Sequence, residues 1–110
     1  MIDYSQPKIL ASKEAQQCLM KKRYQLRVRS LNKWVDLIRK KKGDQYSIPY
    51  FDPNDGGVKA SVLFLLEAPG RQARGSGFIS RNNHDGTAAN MLEFLSDFSR
   101  HQTVLWNVIP

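Results

Sequence analysis

One stretch constrains everything around it: VLFLLEAPGRQARGSGFISRNNHDGT, residues 62–87. It starts as an unbroken apolar run, stops at Pro69-Gly70, and then stays polar until the next helical pattern. A short run with no polar face predicts a strand over Ala60–Leu66 that is central in a sheet and covered on both sides. In open α/β proteins the carboxyl end of such a strand fixes a loop whose backbone can face a ligand. The polar segment after Leu66 is therefore where a functional site is expected.

The flanking elements fit that frame. After the polar segment, Thr87 can cap a helix whose face is Ala88, Met91, Leu92, Leu95 and Phe98, and Thr103–Ile109 reads as a second apolar strand broken by Asn107. Strand, loop, helix and strand make a βαβ unit with parallel strands and a right-handed crossover. Upstream, Ser12 is the expected cap of one helix carrying Ala15, Cys18 and Leu19 on its apolar side. A second helix has Leu31, Trp34, Val35 and Ile38 in register, Ser30 as cap, and Gly43 after a cationic last turn, Arg39 to Lys42. Residues 1–11 read as an arm that Ile9, Leu10 and Ala11 can dock. Between helices and strand lies IPYFDPNDGG, a structured loop in which Tyr50 and Phe51 are expected to cover the core. Asp52, Asn54 and Gly56 lack the further spaced ligands and terminal Glu of a calcium loop.

With 110 residues the chain is read as one domain, 1–110, having a helical part at 1–47 and a strand-loop-helix-strand core at 48–110. Its net charge of +7 favours polyanions such as nucleic acid, although cations in a last helical turn also compensate the helix dipole. Cys18 is the single cysteine, which excludes an intrachain disulfide and a thiolate-only metal site. No cofactor or metal is expected, and a reducing cytoplasmic location fits. There is no apolar window long enough to span a bilayer and no signal-like start in MIDYSQPK, so no membrane partner is expected.

The polar segment fits neither GxGxxG nor the Walker lysine loop. Residue by residue it resembles the uracil-DNA glycosylase superfamily over roughly 48–110. The first motif of that superfamily, at the end of the first sheet strand, reads GQDPYH in one class and GEAPG in the iron-sulfur class. Here Leu66-Glu67-Ala68-Pro69-Gly70 matches the latter at all but the first position. The run Gly77-Phe78-Ile79-Ser80 is similar to the element whose Phe stacks on a flipped uracil, and Trp106-Asn107-Val108-Ile109-Pro110 to the strand whose Asn reads the base edge.

The resemblance implies a three-layer αβα fold with a short, largely parallel sheet and a base pocket built from Ala68, Pro69, Gly70, Phe78 and Asn107. It implies phosphate contacts from Arg71, Arg74 and Arg81, and water positioning by Glu67, because Ala68 stands where the GQDPYH class has its aspartate. The chemistry fits these roles: a base leaves the stack before its glycosidic bond is reached, and an Asn side chain supplies one donor and one acceptor for its edge. The departures are equally specific. The four cluster cysteines are missing, and no His-Pro-Ser segment follows His84 or His101.

The expectation is therefore an apparently truncated uracil-DNA glycosylase-like domain, recognising and at most weakly excising uracil or a damaged base from DNA. Two alternatives stay open: a non-catalytic basic nucleic-acid-binding module, and a truncated domain whose unfinished sheet is completed by a homo-oligomer.

Overall fold

The computed structural model describes residues 2–43, 45–68 and 70–109, with Arg74 described by its backbone alone. Two helices precede the strands. Helix α1 (Lys13–Met20) starts where Ser12 Oγ accepts from the Ala15 N–H at 3.2 Å, as its sequence predicts. Helix α2 (Arg29–Lys42) starts two residues earlier than expected. Val28 is its N-cap and makes no side-chain cap, while Ser30 lies inside the helix. Its inward face is Asn32 and Val35, and Trp34 stands half in solvent.

The burial of Asn32 has a specific cause. Its Nδ2 donates to the carbonyls of Arg23 (2.9 Å) and Phe51 (3.2 Å), and its Oδ1 accepts from the Phe51 N–H (2.8 Å). These bonds fix α2 against strand β1 (Tyr50–Phe51), a polar bolt that apolar periodicity does not reveal. Arg39 adds a second tie, with its Nε donating to the Ile48 carbonyl at 2.7 Å and its guanidinium 4.0 Å from the Tyr50 ring centroid. One cation of the last turn is therefore structural.

The remaining strands are β2 (Val62–Leu66), β3 (Phe78–Ile79) and β4 (Thr103–Asn107). β1 pairs in parallel with β3, and β2 in parallel with β4, Val62 facing Thr103 and Leu66 facing Asn107. The domain is thus a mixed helix and strand structure with short parallel sheets, as α/β patterning requires. Phe51 of β1 stacks on Trp106 of β4 with centroids 4.0 Å apart, which joins the two sheets in one core.

Helix α4 (Gly86–Phe94) is the crossover between β2 and β4, and it is capped by Asp85, whose Oδ1 accepts from the Ala88 N–H at 2.7 Å, not by Thr87. The polar segment before it is not all loop. Arg71–Ser76 forms a short helix, α3, closed by Gly77 at φ 87.

β2 departs from expectation in its environment. One face is covered, since Phe64 meets Phe94 and Phe98 edge-on. The opposite face keeps Leu63 53% and Leu65 57% exposed. β4 takes the central role, buried along its whole length, because Trp34 of α2 packs on Trp106 (5.9 Å) while α2 leaves the neighbouring Leu63 and Leu65 uncovered.

Candidate nucleobase site at the carboxyl ends of β2 and β4

On the covered sheet face, Leu105 and Asn107 of β4 lie beside Leu66 of β2, and the amino-terminal half of α4 closes over them. Together with Glu67, Ala68, Gly70, Ala73, Ile79, Ser80, Asn83, Asp85, Thr87, Ala88 and Met91 they line a cavity of about 370 Å³. That volume is in the range of small-ligand pockets. The ladder continues past the strands: Val108 N–H donates to Leu66 O (2.8 Å) and Ile109 N–H to Glu67 O (3.0 Å). The backbone of Glu67 is thereby pinned at the rim while its side chain stays exposed.

Asn107 is the informative member. It is only 3% exposed, and its Nδ2 has no hydrogen-bond partner among the described residues. An unpaired buried amide donor costs about 1–3 kcal/mol, so a native fold keeps one chiefly where something else satisfies it. The other polar walls are already committed. Asn83 accepts from Ser76 Oγ (2.6 Å) and donates to the Phe78 carbonyl (2.9 Å), Asp85 caps α4, and Ser80 Oγ donates to Asp52. Asn107 is the fully buried wall residue with a donor left over, while Glu67 and Thr87 are exposed.

The other expected site residues divide. Glu67, Ala68, Gly70 and Asn107 meet at this cavity, and Arg71 is exposed at the first turn of α3 beside it. Pro69 and the Arg74 side chain lie outside the described residues. Phe78 is not a platform in this structure: it is 0% exposed, tilted against Tyr50 at 6.2 Å, and Ile79 lines the cavity in its place. Strand alternation explains the swap, because adjacent residues of β3 face opposite sides.

Arg81 is not a phosphate contact either. It is 2% exposed, donates from Nη2 to Thr103 Oγ1 at 2.7 Å, and pairs with Asp55 Oδ1 at 3.1 Å. The burial of its side chain spends the charge inside the protein, so a phosphate outside gains nothing from it.

Arg81 belongs to a buried cluster that charge counting misses. Arg100 donates to Asp55 Oδ1 (2.9 Å), Asp52 Oδ2 (2.8 Å), Asn82 Oδ1 (2.7 Å) and the Tyr4 carbonyl (3.1 Å). Asn82 Nδ2 also donates to the Tyr4 carbonyl, which docks the N-terminal arm. Burial and the neighbouring Asp52 push the Asp55 carboxyl up to about 7. The same burial draws Arg81 down, whereas at Arg100 the two carboxylates outweigh it and raise the value. Ser80 touches Asp52 and also lines the cavity at Asn107, so the cluster supports that wall.

The Asp52-Pro-Asn-Asp55 turn and the polar run Ser80 to Asn83 are the sequence signals for this network, but both read equally well as solvated loop. Among the described residues no group of three or more His, Cys, Asp or Glu is placed to hold a metal, and no helix is long and apolar enough to cross a membrane. Compared with protein-family models, with curated proteins and with solved structures, the chain gives no significant match.

Proposed function

We propose that the chain is a base-recognition domain of uracil-DNA glycosylase type, a three-layer αβα fold that takes an extruded uracil of DNA into the cavity at Asn107. The observation that carries this reading is the Asn107 Nδ2, without a partner among the described residues, on the wall of a largely apolar cavity at the carboxyl ends of two parallel strands. Asn107 reads the base edge through its donor and acceptor, Gly70 and Ala68 form the adjacent wall, Glu67 holds water at the rim, and Arg71 meets a flanking phosphate.

Recognition outweighs turnover in this reading. Breaking the glycosidic bond leaves a uracil anion, and the described lining residues include two carboxylates, Glu67 and Asp85, but no cation. The loss of one such stabilising donor typically costs about 100- to 1,000-fold in rate. Excision is therefore expected to be weak or absent.

The test compares binding to matched single-stranded DNAs carrying one uracil or one thymine, with uracil release followed in parallel. Preference for uracil that Asn107→Ala removes supports the reading. Equal binding of both DNAs by the wild-type chain overturns it, and a steep salt dependence without base preference assigns the surface to a non-specific basic module instead.

The exposed Leu63 and Leu65 favour a second reading of the sheet, in which a second copy of the chain covers that face. Sedimentation equilibrium decides it: a dimer supports self-association, and a monomer at high concentration removes it.

A further inference from the structure

Helix α2 presents a solvent face that neither the core nor the cavity at Asn107 uses. Its exposed charged residues are Arg29, Lys33, Lys40, Lys41 and Lys42, all cationic, and none forms an ion pair among the described residues. The acid of α2, Asp36, is turned to the hydroxyls of Tyr24 and Tyr50. Two aromatics accompany these cations. Trp34 is 46% exposed although it packs on Trp106, and Tyr46, just past the helix, is 53% exposed with Lys42 Nζ 5.8 Å from its ring centroid. We propose that this face binds single-stranded nucleic acid, with bases stacked on Trp34 and Tyr46 and the phosphates between them held by Lys40, Lys41 and Lys42.

The spacing suits a strand. Trp34, Leu37 and Lys41 fall at i, i+3 and i+7 on one side of α2, and Lys40 and Lys42 flank Lys41. From Trp34 to Lys42 the helix rises about 12 Å, at 1.5 Å per residue, so the two aromatics stand at the ends of a cationic stretch. Exposed aromatics interleaved with cations hold unpaired bases, whose faces stack while the backbone follows the charge. Dipole compensation accounts for the cations of the last turn, but not for Lys33 in mid-helix or for a Trp left half in solvent. Trp34 and Leu37 are the large apolar side chains exposed on α2, too few for insertion into an anionic bilayer, which leaves nucleic acid as the favoured polyanion.

The position of α2 is fixed from both ends. Val58 N–H donates to the Arg27 carbonyl at 2.9 Å, which sets the start of the helix beside the segment before β2, and Trp34 reaches Trp106, the neighbour of Asn107. Adjacent residues of a strand face opposite sides, so α2 lies on the sheet face away from the cavity, with its last turn toward the carboxyl ends of β2 and β4. Binding here does not require the uracil reading: a chain without base preference would still hold a single strand on this face.

The test uses the full chain and a fluorescein-labelled thymidine oligonucleotide, which offers no uracil, with binding followed by anisotropy and by intrinsic tryptophan fluorescence. The oligonucleotide should bind saturably at low salt and quench Trp34, since Trp106 is only 8% exposed. Trp34→Leu should lose the quench, and Trp34→Leu and Tyr46→Ala should each weaken binding about fivefold or more. Replacing Lys40, Lys41 and Lys42 together by Gln should lower the salt slope by about 2, at about 0.7 per phosphate contact on a single strand. Tyr46 and the three lysines are exposed, so these variants should keep the wild-type melting temperature. Asn107→Ala should leave the binding unchanged, which separates failure here from failure of the cavity reading. No saturable binding, undiminished binding by both aromatic variants, an unchanged salt slope in the lysine variant, or loss of binding in Asn107→Ala each overturns the proposal. So does equally tight binding of the duplex with the complementary strand, or binding to phosphatidylserine vesicles with none to the oligonucleotide.

Discussion

Raising the pH from 4 to 8 tests the buried cluster directly, because Asp55 is the member whose carboxyl is held far above its ordinary value. Its shift from 3.8 to about 7 corresponds, at roughly 1.4 kcal/mol per pH unit, to a contribution of up to about 4 kcal/mol. The sign follows from proton binding. Below about pH 4 the carboxyl is protonated in both states and this stability is fully present. As the pH rises, the unfolded chain gives up the proton first while the folded chain keeps it, so stability falls until the folded group also ionises near pH 7. Against a domain stability of typically 5–15 kcal/mol, a loss of this size is easily measured.

The assay is urea denaturation at closely spaced pH values for the wild type and for Asp55→Asn. The carboxamide keeps an acceptor oxygen for Arg81 and Arg100 and cannot ionise, so the slope attributable to Asp55 should vanish in the variant. Other carboxyls do not counterfeit the effect. At Asp36 burial acts upward, but hydroxyl bonds from Tyr24 and Tyr50 hold the carboxyl below its ordinary value, so its contribution is lost only at lower pH and with opposite sign. Parallel stability curves for wild type and variant across pH 4–7 would refute the argument, as would a wild type that gains stability relative to Asp55→Asn over that range.

Three further outcomes are expected. Asn32→Ala removes three hydrogen bonds to the backbone of Arg23 and Phe51 and should cost about 3 kcal/mol in chemical denaturation; a cost below about 1 kcal/mol would mean that water replaces the bolt. Gly57→Ala places a Cβ against the Arg27 carbonyl at a residue with φ 56 and should lower stability by at least about 2 kcal/mol, read as a fall in melting temperature. Leu65→Lys should change monomer stability by no more than about 0.5 kcal/mol, because the side chain is already exposed. In sedimentation the same variant should abolish any dimer formed through the open face of β2.

Much of the scaffold was legible from patterning. The Ser12 cap, the parallel βαβ arrangement of β2, α4 and β4, the docking of Leu10, and the burial of Tyr50 and Phe51 all follow from periodicity, caps and turn chemistry, which act over a few residues. The meeting of Glu67, Ala68, Gly70 and Asn107 at one cavity was legible for a related reason. Parallel pairing of two apolar strands brings their carboxyl ends together, whatever lies between them.

What tertiary structure decided was the fate of individual polar and apolar side chains. Phe78 and Ile79 are adjacent and both apolar, and only the docking of β3 on β1 determines which enters the core and which faces the cavity. Arg81 reads as a solvated loop cation until Asp55, Thr103 and Arg100, distant in sequence, close around it. Leu63 and Leu65 read as core until the neighbours of β2 are known. Burial depends on which distant segments arrive on each side of a residue, and that is not carried in the local pattern. The apolar run into Glu67 and the Asn at the end of β4 announced a site. Assembly of the fold left the Asn107 Nδ2 without a partner among the described residues.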